Sequence, residues 1–163
     1  MGLFGALSLD GALLITEAPR KTAVALTQHL DEVVRRFPDA EIALIMDNVG
    51  IHHAKATQAW LADHPPVHHL FLPRYSPNDN AQERVWGWLR EAVCRNRAYP
   101  ALASKRAAAL SFLAERRPAE WCRRCVPVPL LTGLLAEAFA AATEAAPVVA
   151  LHPATPVNEL LAA

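Results

Sequence analysis

The spacing of apolar positions changes several times along this chain, and each change marks an element. Residues 3–9 form a short apolar run, and Asp10-Gly11 behind it is the dipeptide of a tight hairpin turn. Residues 12–16 resume the run, so the chain is predicted to open with two antiparallel strands. Over residues 22–37 the spacing becomes helical. Val24, Leu26, Leu30, Val33, Val34 and Phe37 fall close to one face, and Pro38-Asp39 stops the helix. Residues 42–46, Ile-Ala-Leu-Ile-Met, are continuously apolar, as in a central strand buried on both faces. Residues 54–62 read as a helix ending before His64-Pro65-Pro66, and residues 67–72 as the next strand.

Two prolines and two asparagines make residues 73–80 a loop. A helix is predicted from Ala81 to about Arg97, with Val85, Trp86, Leu89 and Val93 on its apolar face, and another from Leu102 to about Arg116. Trp86 and Trp88, two positions apart, point to different sides, Trp86 toward the core. Strands alternating with helices predict an α/β fold: a mixed sheet with flanking helices. The first two strands form an antiparallel flank. Those at 42–46 and 67–72 form a parallel pair joined by a crossover helix.

Composition divides the chain. Its 163 residues, 53% of them apolar, suffice for one globular core. The C-terminal stretch differs from the rest: an Ala/Leu-rich helix is expected over residues 130–142, and little order after Pro147. This gives a domain over residues 1–125 and a tail over 126–163. The formal net charge of zero hides an asymmetry, because residues 84–124 carry ten Lys/Arg against three Glu. Such an excess either faces a polyanion or forms a solvated helical surface. Three cysteines (Cys94, Cys122, Cys125) fit a reducing compartment. Cys122-Arg-Arg-Cys125 has the spacing of half a zinc site, but no second pair follows, so both read as ordinary cysteines. No charged leader precedes an apolar stretch, and no apolar run reaches the ~18 residues of a membrane span, so neither secretion nor membrane insertion is expected.

The residues with chemical potential lie between Ile42 and Arg90. Asp47 directly follows the buried run, and in open sheets with parallel strands ligand sites gather at strand carboxyl ends. A carboxylate there either caps the next loop or sits on a partner or metal. Asn80-Ala81-Gln82-Glu83 fits a capping box, with Asn80 as N-cap and Glu83 at the third helical position. Alternatively, Glu83 projects toward the strand tips as a metal ligand. Asn48 and His52 flank Asp47, and His52 could bind metal, donate to a phosphate or satisfy a loop carbonyl.

Three elements in order, Asp47-Asn48 with Ile51-His52, Phe71-Leu72-Pro73-Arg74-Tyr75-Ser76-Pro77, and Asn80 with Glu83-Arg84-Val85-Trp86, resemble the DDE transposases of bacterial insertion sequences, in the mariner-type superfamily. Thirty-five residues separate Asp47 from Glu83, close to the family's spacing between its second and third acids. The resemblance covers roughly residues 3–98 and implies a ribonuclease H-like fold. It implies DNA strand cleavage and transfer with two Mg²⁺ (or Mn²⁺) ions held by three carboxylates. Asp47 would be the second and Glu83 the third. Asn48, His52 and Asn80 would shape the site, and Lys55, Arg74 and Arg84 would contact DNA phosphates. It further implies double-stranded DNA partners (transposon ends and target), a homodimer, and a bacterial, cytoplasmic and nucleoid-associated location. The family's first catalytic Asp sits on a strand ahead of the segment resembling residues 3–9. The chain is therefore expected to lack that strand and Asp, and to be a truncated form, weak or inactive alone or a non-catalytic DNA-binding remnant. Asp10, in the hairpin turn, is no substitute. Ala81 stands where the family commonly has Pro, a mild change at a first helical position.

Overall fold

The computed structural model describes residues 2–73 and 80–126. Arg74, most of the loop before Asn80 and the tail beyond Val126 lie outside the described residues. Strands β1 (Gly2–Leu7) and β2 (Leu13–Ala18) pair antiparallel, with Leu7 opposite Leu13. Asp10-Gly11 does turn the chain, inside a five-residue connection closed by Ser8 N–H to the Ala12 carbonyl at 2.9 Å. The Asp10 carboxylate accepts from the Ser8 hydroxyl and from Ala12 N–H, and these bonds, Ser8's foremost, hold its pKa below the usual range. Gly11 has φ +87°, and a Cβ there would also collide with the Pro118 carbonyl, so geometry and contact both require glycine.

Helix α1 (Ala23–Arg36) starts at Thr22, whose Oγ1 accepts from Ala25 N–H at 3.1 Å. It buries Leu26, His29, Leu30 and Val33. Val24, expected on this face, is 59% exposed. Two positions before Leu26, it lies about 200° around the helix from it, and His29 completes the inward stripe instead. His29 Nδ1 meets Thr16 Oγ1 of β2 at 2.8 Å, and its ring stacks against Phe4. Burial pushes the His29 pKa down to about 4.

Strands β3 (Ile42–Met46) and β4 (Val67–Phe71) are parallel, Ile42 opposite Val67, and α2 (Lys55–Ala62) lies on the crossover between them. Helix α3 (Ala81–Leu89) is shorter than predicted. A π-helical turn, Arg90–Cys94, continues it, with Arg95 N–H reaching the Arg90 carbonyl at 3.1 Å. Asn96, at φ 55°, then takes the chain out of the helix. After α4 (Leu102–Glu115) comes α5 (Pro118–Cys125), which was not anticipated. Its start is written in sequence nonetheless: proline at the first position, and Glu120 at the third accepting from Arg117 N–H at 3.0 Å.

Side chains of the inner strands alternate between two helical layers. Phe4, Ala6, Ile42, Leu44 and Met46 share a core with Leu26, Leu30 and Val33 of α1. Leu3, Leu7 and Ile45 belong to a second core with Val85, Trp86 and Leu89 of α3, extended by Phe112, Leu113 and Trp121. β1 and β3 are buried throughout, whereas β2 and β4 are partly exposed. The inner strands are therefore β1 and β3. The predicted mixed sheet is realised as two two-stranded ladders, with none joining β1 to β3 among the described residues.

Two outcomes follow from these contacts. Gly11→Ala should lower unfolding free energy in urea by about 2–4 kcal/mol, through a positive φ and a collision with α5. His29 is neutral in the fold, so from pH 6.5 down to about 4 the unfolded chain binds the extra proton. Its contribution is intact above pH 6.5 and is lost as pH falls through that window. Wild type should lose on the order of 3 kcal/mol more than His29→Leu between pH 7 and 4, read from urea midpoints.

Candidate active site at the strand carboxyl ends

The β3 ladder ends at Met46, whose carbonyl accepts from Leu72 N–H at 2.8 Å, and Asp47 is the first residue beyond. Its side chain is 30% exposed. Oδ1 accepts from Val49 N–H at 3.2 Å, which bends the chain away from the sheet. His52, fully buried, brings Nδ1 to 2.8 Å from the Asp47 carbonyl and 3.0 Å from Oδ1. Both neighbours of Nδ1 are acceptors, so Nδ1 carries the proton and donates. Of the roles open to His52, the structure thus shows carbonyl satisfaction, extended to the carboxylate.

This loop is anchored at two further points. Asn48 Nδ2 donates to the Leu72 carbonyl at 2.5 Å, tying the ends of β3 and β4 together. Thr57 Oγ1 donates to the Ile51 carbonyl at 2.7 Å, and Gln58 Nε2 to that of His52 at 2.9 Å. Thr57 and Gln58 were not singled out in the sequence, because their partners are backbone carbonyls that no side-chain spacing reveals. Lys55 opens α2 and is exposed.

Glu83 belongs to a second group, on α3. Asn80, 2% exposed, accepts through one Oδ1 from Gln82 N–H at 2.9 Å and Glu83 N–H at 3.1 Å. The cap fixes the first turn and with it the backbone of Glu83, whose side chain is half-buried. The next turn of α3 places Val85 and Trp86 in the core that holds Ile45 and Leu72. Arg84, beside Glu83, is exposed. The structure therefore brings Asp47, Asn48 and His52 together at the ends of β3 and β4, and Asn80 with Glu83 on the helix packed over that sheet.

Part of the basic excess is used internally. Arg106 makes two bonds to Glu17, at 2.8 and 2.5 Å, and Arg124 pairs with Glu91 at 2.8 Å. Arg116 and Arg124 each lie 4.5 Å from an aromatic ring centre, Phe112 and Trp88 respectively. Arg90, Arg95, Arg97 and Arg123 are exposed. Cys122 donates to the Leu9 carbonyl at 3.3 Å, and burial pushes the Cys125 thiol up to about 11, so both act as packing residues.

Asp47 and Glu83 offer the hard oxygen donors that Mg²⁺ and Mn²⁺ prefer, on side chains neither fully buried nor fully exposed. In kind they fit such an ion. No group of three or more His, Cys, Asp or Glu able to hold a metal ion occurs among the described residues. No described helix is long and apolar enough to cross a membrane.

Comparisons with known proteins show the family and the fold. Residues 1–104 match the family described as DDE superfamily endonuclease. A stretch of 73 residues is 37% identical to the insertion element IS630 uncharacterized 39 kDa protein of Shigella sonnei, covering 45% of this chain and 21% of that protein. The crystal structure of the catalytic domain of Mos1 mariner transposase superposes with a TM-score of 0.59 at 15% identity, over 76% of this chain and 66% of that one. The Mos1 transposase paired-end complex with left transposon end gives the same TM-score at 17% identity, over 76% of this chain and 38% of that one. The chain thus spans about a fifth of the insertion-element protein. With a ribonuclease H-like fold and a family match over more than half its length, this chain belongs to the DDE superfamily endonucleases.

Proposed function

We propose that this chain is part of a transposase catalytic domain that cleaves and transfers DNA strands, with Asp47 and Glu83 as two of its metal-binding carboxylates. The observation that carries the reading is Asp47, held at the carboxyl end of an inner strand with Asn48 clasped to β4 behind it. When bound, a divalent cation polarises a phosphodiester oxygen and makes a water or DNA 3′-hydroxyl a better nucleophile. His52 keeps the Asp47 backbone and carboxylate in one orientation, and the Asn80 cap does the same for the backbone of Glu83. Lys55, Arg74 and Arg84 contribute phosphate contacts, which position the duplex without reading its sequence. Transposon ends and target DNA are the partners, a reading supported by the paired-end complex of Mos1 transposase. A homodimer would hold two such ends at once.

A complete two-ion site takes a third carboxylate, and no three-ligand group exists among the described residues. Residues 1–163 alone are therefore proposed to be weak or inactive. The same observation favours a second reading, a DNA-binding remnant without chemistry.

Cation binding separates the two readings. Titration calorimetry with Mn²⁺ should detect binding to wild type that weakens about tenfold or more in Asp47→Asn/Glu83→Gln. Equal heats from both proteins would remove the catalytic reading and leave the remnant. For DNA, Lys55→Ala and Arg84→Ala should each weaken duplex binding across unrelated sequences. Each should also reduce the slope of log K against log salt by about one, measured by fluorescence anisotropy.

A further inference from the structure

A cavity of about 270 Å³ opens where the β1–β2 hairpin meets the end of α1 and the α4–α5 corner. Among the described residues, none from β3, β4 or the Asp47 loop lines it, so it is separate from the candidate active site. Its lining is largely apolar, and Leu14, Val33, Phe37, Leu113 and Trp121 bring it side chains from both cores. Two arginines interrupt this lining, Arg36 in the last turn of α1 and Arg116 at the end of α4, and no Asp or Glu does. Neither arginine forms a salt bridge among the described residues. Two acids feel their charges, Asp10 and Glu120, and both are already bonded, Asp10 to Ser8 and Ala12, Glu120 to Arg117. Arg116 packs its guanidinium 4.5 Å from the Phe112 ring centre, and its Nε is buried without a hydrogen-bond partner. A buried charged donor left unserved is costly, and an acceptor beside it relieves that cost. The carbonyl ends of α1 and α4 each bring about half a negative charge and the start of α5 about half a positive one, so the two guanidinium charges prevail.

We infer that this cavity is a binding site for a small organic carboxylate, its anionic group held by Arg36 and Arg116 and its apolar body by the remaining lining. The rings of Phe37 and Trp121 in the wall suit a planar body. The volume lies just under the ~300 Å³ at which sites for drug-sized ligands begin, so the body is no larger than about two fused rings. Two arginines repel a cation. A single negative charge suits the apolar surroundings better than a phosphate dianion, whose desolvation costs more. The proposal is independent of metal and DNA binding, and either can fail without affecting the other.

The test titrates the 163-residue chain with 2-naphthoate, with the neutral 2-naphthamide and with the cationic 2-naphthylmethylamine, followed by backbone amide chemical shifts. 2-Naphthoate should bind with a Kd of about 1 mM or tighter. Its shifts should centre on residues 11–14 and 113–121, not on residues 47–54. The amide and the amine should bind at least about fivefold more weakly. Arg36 and Ala114 are exposed, so variants at both positions keep the fold. Arg36→Gln should weaken 2-naphthoate by about fivefold or more and leave 2-naphthamide unchanged. Ala114→Phe, which narrows the cavity, should weaken both ligands. No binding of 2-naphthoate, equal affinity for acid and amide, or shifts centred elsewhere would overturn the proposal. So would an Arg36→Gln or Ala114→Phe protein that binds 2-naphthoate as wild type does.

Discussion

Burial of β1 and β3 on both faces is the constraint from which the rest of the architecture follows. A strand with solvent on one side can alternate apolar and polar residues, but one between two helical layers cannot. Hence Gly-Leu-Phe-Gly-Ala-Leu and Ile-Ala-Leu-Ile-Met carry no charge over their whole lengths. Even and odd positions then serve different helices, so α1 and α3 are fixed relative to each other through the strands they share. The first position at which β3 can bear a carboxylate is the residue after the ladder ends, which is Asp47. The acid's location is thus dictated by where burial stops.

At the candidate site, two of the residues singled out in the sequence have structural roles. Asp47 Oδ1 turns the loop at Val49, and Asn80 Oδ1 caps α3 through the amide of Glu83. The turn at Asp47 and the N-cap at Asn80 are the structural roles that the sequence suggested for them. A bonded turn and a helix cap fix the backbone at these two positions. The arrangement lies within the region, residues 1–104, that matches the DDE superfamily endonuclease family, on a fold shared with the Mos1 catalytic domain.

Much of this was legible from residue order. Continuous apolarity at 42–46 identified a doubly buried strand, Asp10-Gly11 a hairpin, and Asn80 a cap. The resemblance through Asp47, His52 and Glu83 led to the family that the comparisons show. What escaped depends on contacts between distant segments. His29 became an inward residue because Thr16 of β2 waits for it, whereas Val24 had only its hydrophobicity to recommend it. The π-helical turn at Arg90–Cys94 has no local signature. Helix α5 did have one, in Pro118 and Glu120, but it was masked by the basic and cysteine residues around it. Gln82 reads as an ordinary helix-surface amide until Gly5 is seen beneath it.

The seat of Gly11 against Pro118 carries a consequence for how the molecule assembles. The β1–β2 hairpin closes between near neighbours, and α5 forms from its own eight residues, yet their junction spans nearly the whole described chain. Joining such distant points brings a large loss of chain entropy, so it is favoured only after the intervening elements have condensed. The last helix is therefore a latch set on a finished body, and the bare α-carbon of one glycine is the keyhole it fits.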